Sequence, residues 1–224
     1  MAEYRNCKRL KIAALITVVL FALGMIAGCG QSDNTGTESM ENTDTEKDSP
    51  DYYTVTDEID SSANEGIGTL TAYQANGTEV WSVRTEAYPM TELSKTYDIG
   101  EQGNGYYIEA GGTVYCFDKE TGSLLWKNAA FGGAASAAGF DENGNLYICG
   151  YYGPMLCVIT PDGEMLHKYE EPLFRSSAYE PGDYYWPTNI HVYTDYVEIT
   201  FDSTGDTLCV NPENGHTDFE PGMI

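Results

Sequence analysis

Three histidines, His167, His191 and His216, are the chain's only imidazoles. To act as a general base, one of them would need a Ser or Cys nucleophile within hydrogen-bond reach. No nucleophile elbow frames such a pair. His191 lies in a strand-like stretch and is the one candidate base for an enzymatic reading, whereas His216 sits beside a turn glycine. Past the leader the chain carries Cys29, Cys116, Cys149, Cys157 and Cys209. Cys149 and Cys157 lie on adjacent strands around the Gly150–Pro154 turn and are the candidate disulfide pair. Small buried thiols are the alternative. No Cys-x-x-Cys or Cys/His cluster has zinc-ligand spacing. Asp141–Asn145 has the look of half a calcium loop, but Leu146 and Tyr152 stand where the sixth-position Gly and twelfth-position Glu should be, so a plain turn is expected. Neither a metal nor a cofactor is expected. Tyr184, Tyr185 and Trp186, before Pro187, form an aromatic cluster suited to recognition on a loop, or to filling space between packed elements.

The N-terminus holds a different kind of chemistry. Arg5, Lys8, Arg9 and Lys11 precede an apolar run from Ile12 to Ile26, and Ala27, Gly28 and Cys29 follow. A basic start, a short apolar stretch and small residues before a cut mark a secretory signal. The run is shorter than the ~20 residues that a membrane-crossing helix needs. Ile26-Ala27-Gly28-Cys29 resembles the lipobox of bacterial lipoproteins. That resemblance implies cleavage before Cys29, diacylation of its thiol and attachment to an extracytoplasmic membrane face. Two acyl chains anchor stably, each buried CH₂ contributing ~0.8 kcal/mol. Gly30 does not resemble the inner-membrane retention signal, so in a two-membrane host the outer membrane is expected.

Charge narrows the partners. The chain carries 11 Lys/Arg against 35 Asp/Glu, a net −24. Removal of a leader holding four of the basic residues and Glu3 leaves 7 against 34, a net −27. Such acidity excludes nucleic acid and electrostatic adhesion to anionic lipid. From Cys29 to residue 65 the composition is that of a solvated tether, too poor in apolar residues to offset the entropy of ordering. Tyr52–Thr56 is the strand-like exception. The expected organisation is a leader over 1–28, an anchored linker over 29–65 and a folded domain over 66–224.

That domain repeats. Leu70–Trp81, Val114–Trp126, Leu156–His167 and Leu208–Phe219 each read as a short apolar strand, a polar turn ending in Gly and a second strand. The turn glycines are Gly77, Gly122, Gly163 and Gly215, and four residues after each stands a ring: Trp81, Trp126, His167 and Phe219. Upstream, Asn104–Ile108 matches Gly144–Ile148, and Asp195–Ile199 is a weaker copy. Each unit therefore has about four strands in 40–50 residues, which is the period of a β-propeller blade. The class is all-β, with about four antiparallel four-stranded blades.

Cys116-Phe-Asp-Lys-Glu-Thr-Gly122-Ser-Leu-Leu-Trp126 resembles the tryptophan-docking motif of PQQ-like β-propeller repeats, with Cys116 in the small-residue position. The resemblance implies that each ring docks against the following blade. It carries no quinone, because the adjacent-cysteine pair and ligand set of quinoprotein dehydrogenases are absent. A closer functional likeness is to lipid-anchored scaffold propellers of outer-membrane protein assembly. A closed four-bladed ring and a half-ring completed by a second copy, a homodimer, both fit the repeat count. The sequence thus points to a membrane-anchored, non-catalytic scaffold for a protein or an envelope polymer. The alternative is a small-molecule or glycan receptor using the propeller mouth and the Tyr184–Trp186 loop.

Overall fold

The computed structural model describes residues 49–90, 95–151, 155–170, 187–201 and 205–220. Cys29 and Tyr184–Trp186 lie outside them. All the described residues belong to the compact unit Asp48–Ile224. Alternating apolar residues in short runs, punctuated by glycine turns, give sixteen strands among these residues and no helix.

The strands make four antiparallel sheets. The first holds β1 (Tyr52–Asp60), β2 (Glu65–Tyr73), β3 (Glu79–Arg84) and β4 (Tyr88–Pro89). Here β1 pairs along all of β2, whose other edge is shared by β3 and the short β4. The second sheet runs in order through β5 (Tyr97–Gln102), β6 (Gly105–Ala110), β7 (Thr113–Asp118) and β8 (Leu124–Asn128). The third has β9 (Ala134–Phe140), β10 (Leu146–Tyr151), β11 (Leu156–Ile159) and β12 (Met165–Tyr169). The fourth has β13 (Pro187–Val192), β14 (Val197–Phe201), β15 (Thr207–Val210) and β16 (Thr217–Glu220). Three meanders of four strands, with a first sheet of three consecutive strands and the short β4 beside β3, are the blade pattern that the repeat predicts.

The folded part begins earlier than Gly66. The strand-like Tyr52–Thr56 is part of a nine-residue strand, Tyr52–Asp60, in register with β2, and its Tyr53 and Val55 pack inward. Two β-branched and aromatic residues facing the core outweigh the acidic residues around them.

Three apolar seams join the sheets in chain order. Leu70 and Tyr88 of the first sheet meet Tyr106, Ile108, Tyr115 and Phe117 of the second. Tyr107, Val114 and Cys116 of the second meet Leu146, Ile148, Cys157 and Ile159 of the third, around Phe131. Tyr147, Cys149, Leu156 and Val158 of the third meet Val197, Ile199, Phe201, Leu208 and Val210 of the fourth. Near the open edges β9 packs against both β5 and β13. Among the described residues no buried cluster joins the fourth sheet to the first.

Candidate functional site

The repeated chemistry lies at the seams. Trp81 on β3 lies over the β7–β8 turn, where a Cβ on Gly122 would stand 2.8 Å from its ring. Trp126 on β8 lies over the β11–β12 turn in the same way, 2.6 Å from a Cβ on Gly163. Both glycines have positive φ, 70° and 85°, so these turns need glycine for conformation and for room. Gly77 has φ 85° but nothing within 4 Å of a Cβ, because no sheet precedes its own.

The third junction departs from the four-residue rule. Gly215 lies under Tyr169, 2.5 Å from a built Cβ, rather than under His167. His167 does hold the expected register, opposite Val158, and stacks on Tyr169 with ring centroids 5.9 Å apart. Residues two apart share a strand face, so the ring further along the strand is the one that reaches the next turn. Phe219 lies in β16 at the far end of the array, and its side chain is outside the described residues.

Hydrogen bonds complete the docking. Trp126 Nε1 donates to Pro161 O at 2.7 Å, and Tyr169 OH donates to Pro212 O at 2.7 Å. At the first junction the bond comes from Tyr53 OH, which donates to Lys119 O at 3.0 Å. Trp81 Nε1 is buried there without a hydrogen-bond partner. Tyr53 and Tyr169 are docking residues that the motif does not announce. Their signal is an aromatic on the inward face of a strand one sheet before a glycine turn.

Three carboxylates serve structural hydrogen bonds. Glu109 on β6 is 1% exposed and shares a face with Tyr107. Its carboxylate accepts Gly112 N at 2.6 Å in its own hairpin and Ala135 N at 2.9 Å in the next sheet. Burial pushes its pKa up to about 7, against the two backbone donors that lower it. Asp141 accepts Asn143 N and Asn145 N, both at 2.9 Å, which makes the Asp141–Asn145 segment a hydrogen-bonded turn. Asp57 accepts Tyr88 OH at 2.8 Å and Thr96 N at 3.0 Å, tying β1 to the strap after β4.

Cys116, Cys149 and Cys157 are buried free thiols, and Cys209 is buried as well. Cys149 packs in the third seam and Cys157 in the second. They occupy opposite faces of one sheet, because Cys157 pairs with Ile148 and the next residue points the other way. The disulfide expected between them is therefore not formed. Burial raises the Cys116 thiol to about 11 and the Cys157 thiol to about 12, far from a reactive thiolate. His191 is exposed on β13, opposite Glu198, with its ring 4.4 Å from that of Tyr193.

The two outermost sheet faces are polar. On the first sheet, one face carries Tyr52, Thr54, Thr56, Glu58 and Asp60 of β1, Glu65, Ile67, Thr69, Thr71 and Tyr73 of β2, and Ser82 and Arg84 of β3. Thr71 and Ser82 hydroxyls are 2.9 Å apart, and Arg84 pairs with Glu58. On the fourth sheet, one row runs His191, Glu198, Cys209, Asp218.

The family described as outer membrane protein assembly factor BamB matches residues 66–172. Over these residues the chain is similar to the repeats of that family. The BamB-like match takes in the turns of Gly77, Gly122 and Gly163 and with them the two docked tryptophans. No curated protein matches the chain. Among solved structures, virginiamycin B lyase from Staphylococcus aureus is 12% identical, with a TM-score of 0.45 over 75% of this chain and 59% of its own. A streptogramin B lyase is 11% identical, with a TM-score of 0.45 over 76% of this chain and 58% of its own. The Pan2 WD40 domain of Neurospora crassa is 12% identical, with a TM-score of 0.42 over 74% of this chain and 48% of its own. The chain thus spans about half to three-fifths of the length of these structures.

Proposed function

We propose that this BamB-like array is a non-catalytic scaffold of the bacterial cell envelope, held at the extracytoplasmic membrane face by lipid on Cys29, which binds a protein or an envelope polymer. The observation that carries this reading is the match of residues 66–172 to an outer-membrane protein assembly factor. The side-chain chemistry agrees with it. The buried carboxylate of Glu109 is engaged by backbone N–H groups, and burial disfavours the thiolates. A rigid stack with ordered turns and broad polar end faces presents surface rather than a reaction centre.

Two measurements test it. Metabolic labelling with a palmitate analogue should mark the full chain and leave Cys29→Ser unmarked; an unlabelled parent chain overturns the anchor. Cross-linking in intact cells, followed by purification of the full chain, should recover a stoichiometric envelope component. Recovery of the chain alone at every cross-linker length overturns the scaffold.

A further inference from the structure

The first sheet is one strand short of the others. A cross-strand row runs inward from each docking position. From Trp126 it passes through Cys116 and Tyr107 to Gly100 on β5. From His167 it passes through Val158 and Tyr147 to Gly139 on β9. From Phe219 it passes through Leu208 and Ile199 to Ile190 on β13. From Trp81 it passes through Ala72 to Tyr53 on β1 and ends. Thus β1 stands where β6, β10 and β14 stand, and among the described residues no strand lies on its other edge. The counterpart β6 is buried along its whole length, whereas β1 is exposed from Thr56 to Asp60. Main-chain bonds fix which groups face that edge. Asp51 N donates to Tyr73 O at 2.8 Å, and Thr85 N donates to Gly68 O at 2.9 Å. Odd residues of β2 therefore turn their main-chain groups to β1, and even ones turn theirs to β3. By the register, Tyr53, Val55, Asp57 and Ile59 turn theirs away from β2, to the vacant edge, where no main-chain partner meets them among the described residues. Such a row of N–H and C=O groups is a template for another strand.

We infer that the β1 edge takes up, as its missing inner strand, an extended segment of another protein that alternates apolar and basic residues. The inference rests on the scaffold reading and names its kind of partner and its surface. Main-chain bonds supply the affinity of such an addition, and alternate side chains supply the selection. On the seam side the added strand extends the rows of Tyr53 and Val55, which pack on the aromatic cluster of the second sheet, so apolar side chains belong there. On the other side it lies beside Thr54, Thr56, Glu58 and Asp60. Within the strands of the first sheet Arg84 alone stands against Asp57, Glu58, Asp60, Glu65 and Glu79, so basic side chains belong on this side. Like charge tells against two nearer occupants. The tether before β1 is acidic, with Lys47 its only base, and Asp51 is held toward the β2–β3 turn by bonds to Tyr73 and Ala75. A second copy would set one acidic edge against another, and charge on an edge strand discourages that pairing.

The probe is a peptide amide that alternates lysine and valine over nine residues, the length of β1. It is titrated into the full chain in detergent micelles and followed by calorimetry and amide exchange. Binding should be saturable and should slow exchange at Tyr53, Val55, Asp57 and Ile59 by about tenfold or more. A twin with proline for every valine keeps the charge but loses donors and strand geometry, and it should leave these amides unprotected. A twin with glutamate for every lysine should bind about tenfold more weakly or worse. Ile59→Pro, at a position 60% exposed, removes one outward N–H and no bond to β2, and it should weaken the lysine peptide about tenfold. Glu58→Gln removes one charge and should weaken it about threefold. Leu125→Ala, an exposed change on β8, should leave binding as it was. No slowing at the four amides, equal slowing by the proline twin, equal affinity of the glutamate twin, or affinity untouched by both edge substitutions overturns the inference. Four amides as slow in the free chain as those of β6 overturn it too, because the tether or a second copy then fills the edge. Cross-linking in cells separates it from the scaffold reading: an envelope component recovered by a chain whose four amides stay unprotected removes the strand site alone. No component and no protection remove both.

Discussion

Trp81 and Trp126 do the same job by different bonds, and the difference is measurable. Both rings cover a glycine of the next sheet, but only the Trp126 indole donates a hydrogen bond, to Pro161 O. The Trp81 indole N–H is buried without a partner. Replacing either by Phe removes similar area, so comparison of the two isolates the bond. Trp126→Phe should cost about 1 kcal/mol more than Trp81→Phe in urea unfolding, since a net hydrogen bond contributes roughly that much and an unmade one costs. Equal losses would mean that the Pro161 contact contributes nothing. At this scale the two tryptophans and their glycines were legible in the sequence, because a fixed offset from a turn fixes side and register. Tyr169 was not, because the offset lands on His167 and only the reach of the strand decides which ring meets Gly215. Tyr53 was legible as part of the strand-like Tyr52–Thr56, but not its docking on the β7–β8 turn.

At the level of strands and sheets, Glu109 joins the second sheet to the third through Ala135 N. Its folded pKa is raised from 4.5 to about 7 by burial. The folded state therefore binds this proton more tightly than the unfolded chain does. Its stabilising contribution is complete below about pH 4.5 and is lost as pH rises through about 7, an effect of roughly 3 kcal/mol. Unfolding free energies of the parent should fall between pH 5 and pH 8. Glu109→Gln, which cannot titrate, should flatten that slope by roughly 2 kcal/mol or more. Parallel slopes for parent and variant would contradict the assignment. The charge of neighbouring Asp57 adds to the rise. The existence of the sheets was readable from period and turns. The strand at Tyr52–Thr56 was legible from its aromatic and β-branched content, but its run on to Asp60 was not, since pairing with β2 outweighs local composition. Nor were the faces of Cys149 and Cys157, which depend on parity within the hairpin rather than on distance along the chain.

For the molecule as a whole, four sheets share three apolar seams, and both outer faces are polar. A ring closed by like contacts would need a fourth seam, and a half-ring awaiting its copy would expose two apolar faces. Neither is present among the described residues, and the acidic charge opposes self-association. Repeat arrays keep their ends soluble in this way, with polar terminal faces. Light scattering of the full chain in detergent micelles should give a protein mass of one chain at low and moderate salt. A stable two-chain mass would restore the homodimer that the repeat count allows. The number of blades was legible in the sequence. Whether the last sheet meets the first was not, because repeats look alike either way.

The inner sheets are gripped from both sides and the outer ones from one. Loosening in such a stack begins at its extremities, where a single contact layer must give way. The first sheet is also where the polypeptide leading back to Cys29 enters. A pull on the chain from its Cys29 side, as the proposed anchor would give, is felt first by β1 and is resisted at the opening junction by Tyr53, Trp81 and their neighbours before it reaches the middle of the array.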